Sequence, residues 1–178
     1  ILPGMAYQQV KWDKLPAGWD DTATSWAITV PGKVIIGPFV GTFNIGYGKN
    51  IGGPTGSVSF TSDGYYAGFQ RDNVTGKIYD STNIQGFVDL AFTFGKVTPH
   101  IFYSITHSTN DKWKVGNKYH ERTSMGINAY IKLNNNFYLI PEFDRYTYGA
   151  TPGWVDSKGA KWEFGNDWLA GVKIRYTF

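Results

Sequence analysis

The sequence predicts an all-β protein with a single domain over residues 1–178, an antiparallel transmembrane β-barrel of seven or eight strands. Three observations predict this fold: apolar and polar side chains alternate along many segments, short and long connections alternate between those segments, and aromatic residues are abundant. The chain contains 7 Trp, 12 Tyr, 12 Phe and 22 Gly. Membrane barrels have such a composition because Trp and Tyr favour both membrane interfaces, while Gly and polar residues occupy turns and the barrel interior.

Composition and charge argue against several other classes. The longest stretch without a charged residue, 34–48, contains Gly, Pro, Thr and Asn and is shorter than the roughly 20 apolar residues of a membrane-spanning helix. The net charge of +3 is spread along the chain, which indicates no nucleic-acid partner. The lack of cysteine is compatible with passage through an oxidising compartment. Because no signal-peptide pattern follows Ile1, we expect an exported chain to be in its mature form.

Seven segments alternate strongly enough to predict strands, since neighbouring side chains of a strand point to opposite faces. Met125 and Ile127, for example, share one face, while Arg122 and Asn128 share the other. An eighth strand at 5–12 is less regular, because both of its faces mix polar and apolar residues. The seven segments are 22–30, 35–47, 84–94, 97–108, 121–133, 137–148 and 167–178.

The connections between these segments differ in length. Tight turns are predicted at 31–33, 95–96 and 133–136, where Gly, Pro and Asn are concentrated. The long connections carry Gly, Asp and Lys, and they are predicted at 49–81, 109–120 and 149–163. Short turns at one end of a sheet and long polar loops at the other are typical of transmembrane barrels, with the short turns in the periplasm.

The end of the chain, AGVKIRYTF at 170–178, alternates apolar and polar residues and finishes on an aromatic residue. In this it resembles the C-terminal signal strand of bacterial outer-membrane proteins. The resemblance implies a location in the bacterial cell outer membrane, contact with outer-membrane lipids and lipopolysaccharide, and recognition of this strand by the barrel-assembly machinery. The residues that would carry the assembly signal are Trp168, Val172, Ile174, Tyr176 and Phe178.

Within that class, residues 138–146 are similar to the closing strands of porins. This resemblance implies a channel for passive diffusion of small hydrophilic solutes and ions, with no cofactor, and a homo-oligomer, a trimer in the porin case. A whole porin has about 16 to 18 strands. The chain is therefore either a complete small barrel or the C-terminal part of a larger porin barrel.

The polar faces of the predicted strands would line the interior of the barrel. Their charged and titratable side chains include both signs, and two interpretations follow. In a wide barrel, opposed acids and bases form a constriction that imposes a transverse field on passing solutes. In a narrow barrel, the same groups form ion pairs that plug the interior. These residues are Asp89, His100, Arg122, Lys132, Glu142, Asp144, Asp167, Lys173 and Arg175.

His107 and Ser108 are the residues to consider for catalysis, because lipid A deacylases also use a His and a Ser on one strand. Adjacent residues of a strand point to opposite faces, however, so they cannot share a site without a bulge. The same geometry separates His120 from Glu121. No spacing of metal ligands and no phosphate-binding or dinucleotide motif is present in the sequence. We therefore expect neither an enzyme nor a metal site.

Four functional hypotheses remain, and the porin-type channel is favoured. The others are a small closed barrel whose loops bind a partner or that braces the membrane, a membrane-embedded lipid or peptide hydrolase, and a soluble all-β binding protein with its apolar face inward. Several tryptophans near the loop bases are expected to form the outer aromatic girdle of a membrane barrel. They are Trp113, Trp154, Trp162 and Trp168.

Overall fold

The computed structural model describes residues 1–51, 68–110, 119–155 and 161–177, with side chains for all of these except 119–120, 150–155 and 161–164. It contains an eight-stranded antiparallel sheet and a small two-stranded hairpin. No helix long and apolar enough to cross a membrane occurs among the described residues. The strands are β1 (Gly4–Lys11), β2 (Thr22–Ile36), β3 (Phe39–Lys49), β4 (Gln70–Arg71), β5 (Ile78–Tyr79), β6 (Ser81–Phe92), β7 (Val97–Asn110), β8 (Tyr119–Lys132), β9 (Phe137–Val155) and β10 (Lys161–Tyr176).

The large sheet is a meander in which each strand pairs with the next large strand along the chain. Its order is β1-β2-β3-β6-β7-β8-β9-β10, and the β4–β5 hairpin lies within the connection between β3 and β6. The all-β class, the antiparallel pairing and the weakly patterned eighth strand, β1, are confirmed. Several strands exceed their predicted lengths, and β9 reaches 19 residues.

The first predicted turn, at 31–33, is wrong, because β2 continues through these residues to Ile36. The chain reverses instead at residues 37 and 38, and Gly37 has the positive φ of 55° that favours glycine. Pro31 is tolerated in the strand because its backbone faces the end of β1, where its carbonyl accepts from the Leu2 amide at 3.3 Å. This shift also moves Ile35 from the predicted apolar side to the opposite side of β2.

The other two predicted short turns are confirmed. Phe94 and Val97 exchange both backbone hydrogen bonds, at 2.7 and 3.0 Å, around a two-residue turn whose Gly95 has a φ of 57°. The third turn lies between β8 and β9, where the Leu133 amide donates to the Phe137 carbonyl at 2.9 Å. The long connection predicted at 149–163 is shorter than expected, since β9 and β10 extend into it on both sides.

The register divides the large sheet into two faces of different character. Side chains such as Ile45, Ile127 and Val172 lie on one side, which we call the apolar face, and they are 58%, 56% and 63% exposed. The opposite side, the polar face, carries Asn83 and Asp144, which are 0% and 6% exposed. The sheet therefore shelters polar side chains and leaves large aliphatic ones uncovered, the reverse of a soluble protein.

Buried hydrophobic side chains are few and mostly small. None of those described is aromatic, whereas Phe94, Trp168 and Tyr176 are exposed. The sheet thus has no conventional apolar core among its described residues. The buried hydrophobic residues are Ala23, Ala27, Ile51, Ala91 and Ile140.

Candidate functional site

The polar face is the candidate functional site, because the register brings all nine predicted interior residues onto it. The pairing of His100 with Asn128, and of Asn128 with Glu142, aligns β7, β8 and β9 across this face. Residues at even spacing from these positions share the face, since side chains of a strand alternate. The predicted set therefore lies on one surface that runs across β6 to β10.

Two acids, Glu142 and Asp144, stand next to each other on the polar face of β9. Glu142 is 9% exposed, and its Oε2 lies 2.5 Å from the Nζ atom of Lys173 on β10. Lys173 is 66% exposed, since β10 is the last strand in the order of the described sheet. Asp144 is buried, and its carboxylate lies over Gly126 of β8, whose missing side chain leaves the room for it.

A second pair of titratable groups links β6 to β7. The Nδ1 atom of His100 lies 3.1 Å from Oδ2 of Asp89 and 3.2 Å from Oδ1. The imidazole also packs against the ring of Tyr130, with ring centroids 5.0 Å apart. These contacts fix the position of His100, which Asn128 of β8 separates from Glu142 of β9.

The remaining bases lie toward the two ends of the strands. Lys132 and Arg175 both pair with Tyr138, close to the short turns. Arg122 lies nearer the long connections, with its guanidinium carbon 4.8 Å from the centroid of the Tyr148 ring. The acids of β9 thus lie at the middle of the strand together with Lys173 of β10, while the other bases lie toward the two ends.

An open cavity of about 470 Å³ adjoins the polar face near the short turns. Its walls combine one cation, hydroxyl groups and an imidazole. The residues that line it are Thr98, His100, Tyr130, Tyr138, Arg175 and Thr177.

A buried network of amide and hydroxyl groups, which was not predicted from the sequence, occupies the other end of the polar face. The side chain of Asn50 donates to Asp80 Oδ1 at 2.7 Å and accepts from the Ser81 amide at 2.7 Å. Asn110 of β7 donates to Ser81 Oγ at 2.9 Å. A signal was present in the sequence, because the polar residues Ser81 and Asn83 share one face at the start of β6. The partners of Ser81 could not be predicted, since Asn50 and Asn110 lie about 30 residues away in the chain.

Two connections pack together beside this network. Arg71 of β4 lies between two tryptophans of the β1–β2 connection, with its guanidinium carbon 4.4 Å from the Trp12 centroid and 5.9 Å from that of Trp19. The Asp20 carboxylate accepts a hydrogen bond from the Ile78 amide at 2.7 Å. These contacts hold residues 68–80 against the first connection at the end of the sheet that carries the network.

His107 and Ser108 lie on opposite faces, as the alternation predicts. His107 is on the apolar face, with Nδ1 3.3 Å from Oε2 of Glu121, whereas Ser108 is fully buried on the polar face. The side chain of His120 lies outside the described residues. Within the described ranges, no group of three His, Cys, Asp or Glu side chains could hold a metal ion.

The predicted assembly-signal residues form a row on the apolar face of β10. All four described members are more than half exposed, and Phe178 lies outside the described residues. Of the predicted girdle tryptophans, Trp168 stacks on Phe143 at 5.3 Å. Trp113 and the side chains of Trp154 and Trp162 also lie outside the described residues. The four described signal residues are Trp168, Val172, Ile174 and Tyr176.

Aromatic pairs on the apolar face concentrate at two levels. Near the long connections, Trp26 of β2 contacts Tyr47 of β3, with centroids 5.6 Å apart. Near the short turns, Phe137 of β9 contacts Tyr176 of β10 at 6.3 Å. Between these two levels the exposed side chains are mainly aliphatic.

No family model matches the chain, and no curated protein or solved structure is significantly similar to it.

Proposed function

We propose that this protein is a porin-type channel of the bacterial outer membrane, through which small hydrophilic solutes and ions diffuse passively. The observation that carries the proposal is the division of the sheet into an exposed apolar face and a polar face with acids and bases. In a bilayer the first would contact lipid, and the second would line a water-filled interior. The proposed partners are outer-membrane lipids, lipopolysaccharide and the barrel-assembly machinery.

The dimensions of the apolar face support a membrane location. On β10, Trp168 and Tyr176 are eight residues apart, and on β3 Phe39 and Tyr47 have the same separation. Eight residues extend about 27 Å along a strand, which becomes about 20 Å along the membrane normal at a tilt of about 40°. This is close to the apolar band of about 25 Å, flanked by aromatic girdles, that membrane barrels present.

The extent of exposed apolar surface supports the same location. Ile45, Ile84 and Ile101 lie on the successive strands β3, β6 and β7 of the sheet and are 58%, 50% and 57% exposed. Soluble monomers rarely expose contiguous apolar patches beyond a few hundred Å². A soluble binding protein would instead need these side chains to face a dry interior.

Charged groups of both signs on the polar face support a channel with a wide lumen, as in the C-terminal part of a larger porin barrel. Glu142 and Asp144 lie at the middle of β9, while Lys132 and Arg175 lie toward the short turns. Charged side chains at membrane depth are tolerated where they pair with one another or face a water-filled cavity, and a wide lumen provides such a cavity.

A small closed barrel is the second candidate, and the buried network near the long connections favours it. Asn50, Asn83 and Ser108 are fully buried on or beside the polar face. Polar groups packed in this way would obstruct a narrow interior and stabilise the loops above it. Such a barrel would serve as a platform for a partner and would not conduct ions.

Planar-bilayer conductance of the purified full chain tests the channel proposal. We expect stepwise current increments, and we expect the Glu142→Gln variant to shift the reversal potential in a salt gradient toward anion selectivity. Lys173→Gln should shift it in the opposite direction, because each substitution removes one charge from the proposed lumen.

The matched control is Glu121→Gln, which removes one carboxylate from the apolar face and should leave the reversal potential unchanged. Absence of conductance from the correctly folded protein would reject the channel and favour the closed barrel. Equal shifts for the lumen variants and the control would also contradict the proposal, because the polar face would then not line the pathway.

A further inference from the structure

Arg145 is a cation on the apolar face of β9. It lies on β9 between its cross-strand partners Met125 and Trp168. Its guanidinium carbon is 5.2 Å from the centroid of the Trp168 ring, and one terminal nitrogen donates to Asn166 Oδ1 at 3.2 Å. Within the part of the chain that the structure describes, no carboxylate pairs with Arg145 and its Nε–H meets no acceptor. The site is therefore electropositive and has unused donors.

An apolar groove begins beside this guanidinium. A cavity of about 420 Å³ is lined at one end by Arg145 and Trp168 and elsewhere by side chains such as Leu90 and Ile127. A second cavity of about 690 Å³ shares Leu90 and Ile127 and continues to Phe92 near the short turns. The two cavities form one groove on the apolar face, which runs from the cation toward the opposite end of the strands.

We infer that this groove binds an acyl chain of a phosphate-bearing lipid, whose phosphate contacts Arg145. A guanidinium offers a planar fork of donors that matches phosphate oxygens, and it does so best where water is scarce. Trp168 lies at the level where aromatic rings meet lipid headgroups. Charge complementarity therefore selects an anionic headgroup at one end, and the aliphatic lining selects a hydrocarbon chain along the rest.

The position of Arg145 agrees with a headgroup contact. In β-barrels the free-energy cost of an arginine on the lipid face is largest at the bilayer midplane and small near the interface. Arg145 lies beside the Phe143–Trp168 stack, at the aromatic level near the long connections. The inference depends on the apolar face meeting lipid, but not on ion conduction.

Native mass spectrometry of the detergent-solubilised full chain tests the inference. The probes are dioleoyl phosphatidylglycerol, dioleoylglycerol without a phosphate, and glycerol phosphate without acyl chains. We expect phosphatidylglycerol to bind about tenfold more tightly than dioleoylglycerol, and glycerol phosphate alone to bind weakly. Arg145→Met should abolish the preference for phosphatidylglycerol, and Arg145→Lys should retain only part of it, because the charge stays while the planar fork is lost.

Two further variants test separately how the charge of Arg145 and the shape of the groove contribute to lipid binding. Lys11→Met removes a cation from the apolar face of β1, far from the groove in the strand order, and should bind lipid as the wild type does. Leu90→Trp fills the groove while keeping Arg145, and should weaken binding of both diacyl probes.

The inference is overturned if the wild type binds the two diacyl lipids equally, if Arg145→Met keeps the preference, or if Leu90→Trp binds both as strongly as before. Glycerol phosphate binding as tightly as the lipid would also overturn it, since a free-phosphate site would then suffice. Conductance measured on the same samples reports separately on the proposed channel.

Discussion

Gly126 is the residue on which the position of Asp144 depends. A Cβ atom built on Gly126 would lie 2.1 Å from Oδ1 of Asp144 and 2.7 Å from the Phe102 ring. We predict that Gly126→Ala destabilises the protein by about 1–3 kcal/mol, because the carboxylate and the ring must both move in a packed region. The unfolding temperature in detergent measures this change, and it can be monitored by the difference in gel mobility between the folded and the unfolded protein.

Gly86 of β6 offers a matched control in the same sheet. A Cβ atom at Gly86 would have Ile105 as its nearest neighbour, at an ordinary contact distance of 3.5 Å. Gly86→Ala should therefore change the unfolding temperature little. If the two alanine variants unfold at the same temperature, Gly126 does not make room for Asp144 in the folded protein.

At the residue scale, alternation was sufficient to assign side chains to faces within a strand. It grouped Asp89, Glu142 and Lys173 correctly on one surface, because a period of two follows from strand geometry alone. It could not reveal the contacts of Asn50 or the surroundings of Arg145. These contacts depend on the order of the strands in the sheet and on their register. Neither can be inferred from the pattern within a single strand.

The pairing of β7 with β8 can be tested at the element scale with a disulfide. Ser104 and Ser124 are cross-strand partners on the polar face, and their Oγ atoms are 2.6 Å apart. We predict that the double variant Ser104→Cys, Ser124→Cys forms a disulfide under mild oxidation, because paired strand positions have suitable Cα separations. The chain has no other cysteine, so mobility on non-reducing gels reports the bond directly.

The control is a cysteine pair in which the position on β8 is displaced by one residue. Ser104→Cys combined with Thr123→Cys puts the thiols on opposite faces of the sheet, so the folded protein should not form the bond. Oxidation of the control pair in preference to the first would show that β8 is displaced by one residue relative to β7.

The elements were predicted best where turn chemistry and alternation agreed. Gly95 lies between two strongly alternating segments, and the structure has a tight turn there. Pro31 and Gly32 suggested a turn on composition alone, but the Phe43 ring packs over Gly32, and the chain just before the start of β1 hydrogen-bonds to Pro31. Tertiary contacts thus gave both residues a strand role that their intrinsic preferences did not indicate.

For the whole molecule, the outer edges of β1 and β10 determine what kind of barrel the sheet can form. These strands lie at the two ends of the strand order, and backbone groups on an open edge cannot be left unpaired in hydrocarbon. In a bilayer they would have to pair with each other or with additional strands. Sequence alternation predicts the existence of strands, but closure depends on long-range pairing that it does not contain.

The most direct test of the central claim compares neighbouring residues of one strand in a bilayer. Nitroxide labels attached to the single variants Ile127→Cys and Asn128→Cys can be measured in lipid vesicles for collision with oxygen and with a water-soluble nickel chelate. We predict that the label at Ile127 collides mainly with oxygen dissolved in the lipid, and the label at Asn128 mainly with the chelate. The contradictory result is a protein that stays in solution without lipid or detergent, with the label at Ile127 shielded from both reagents.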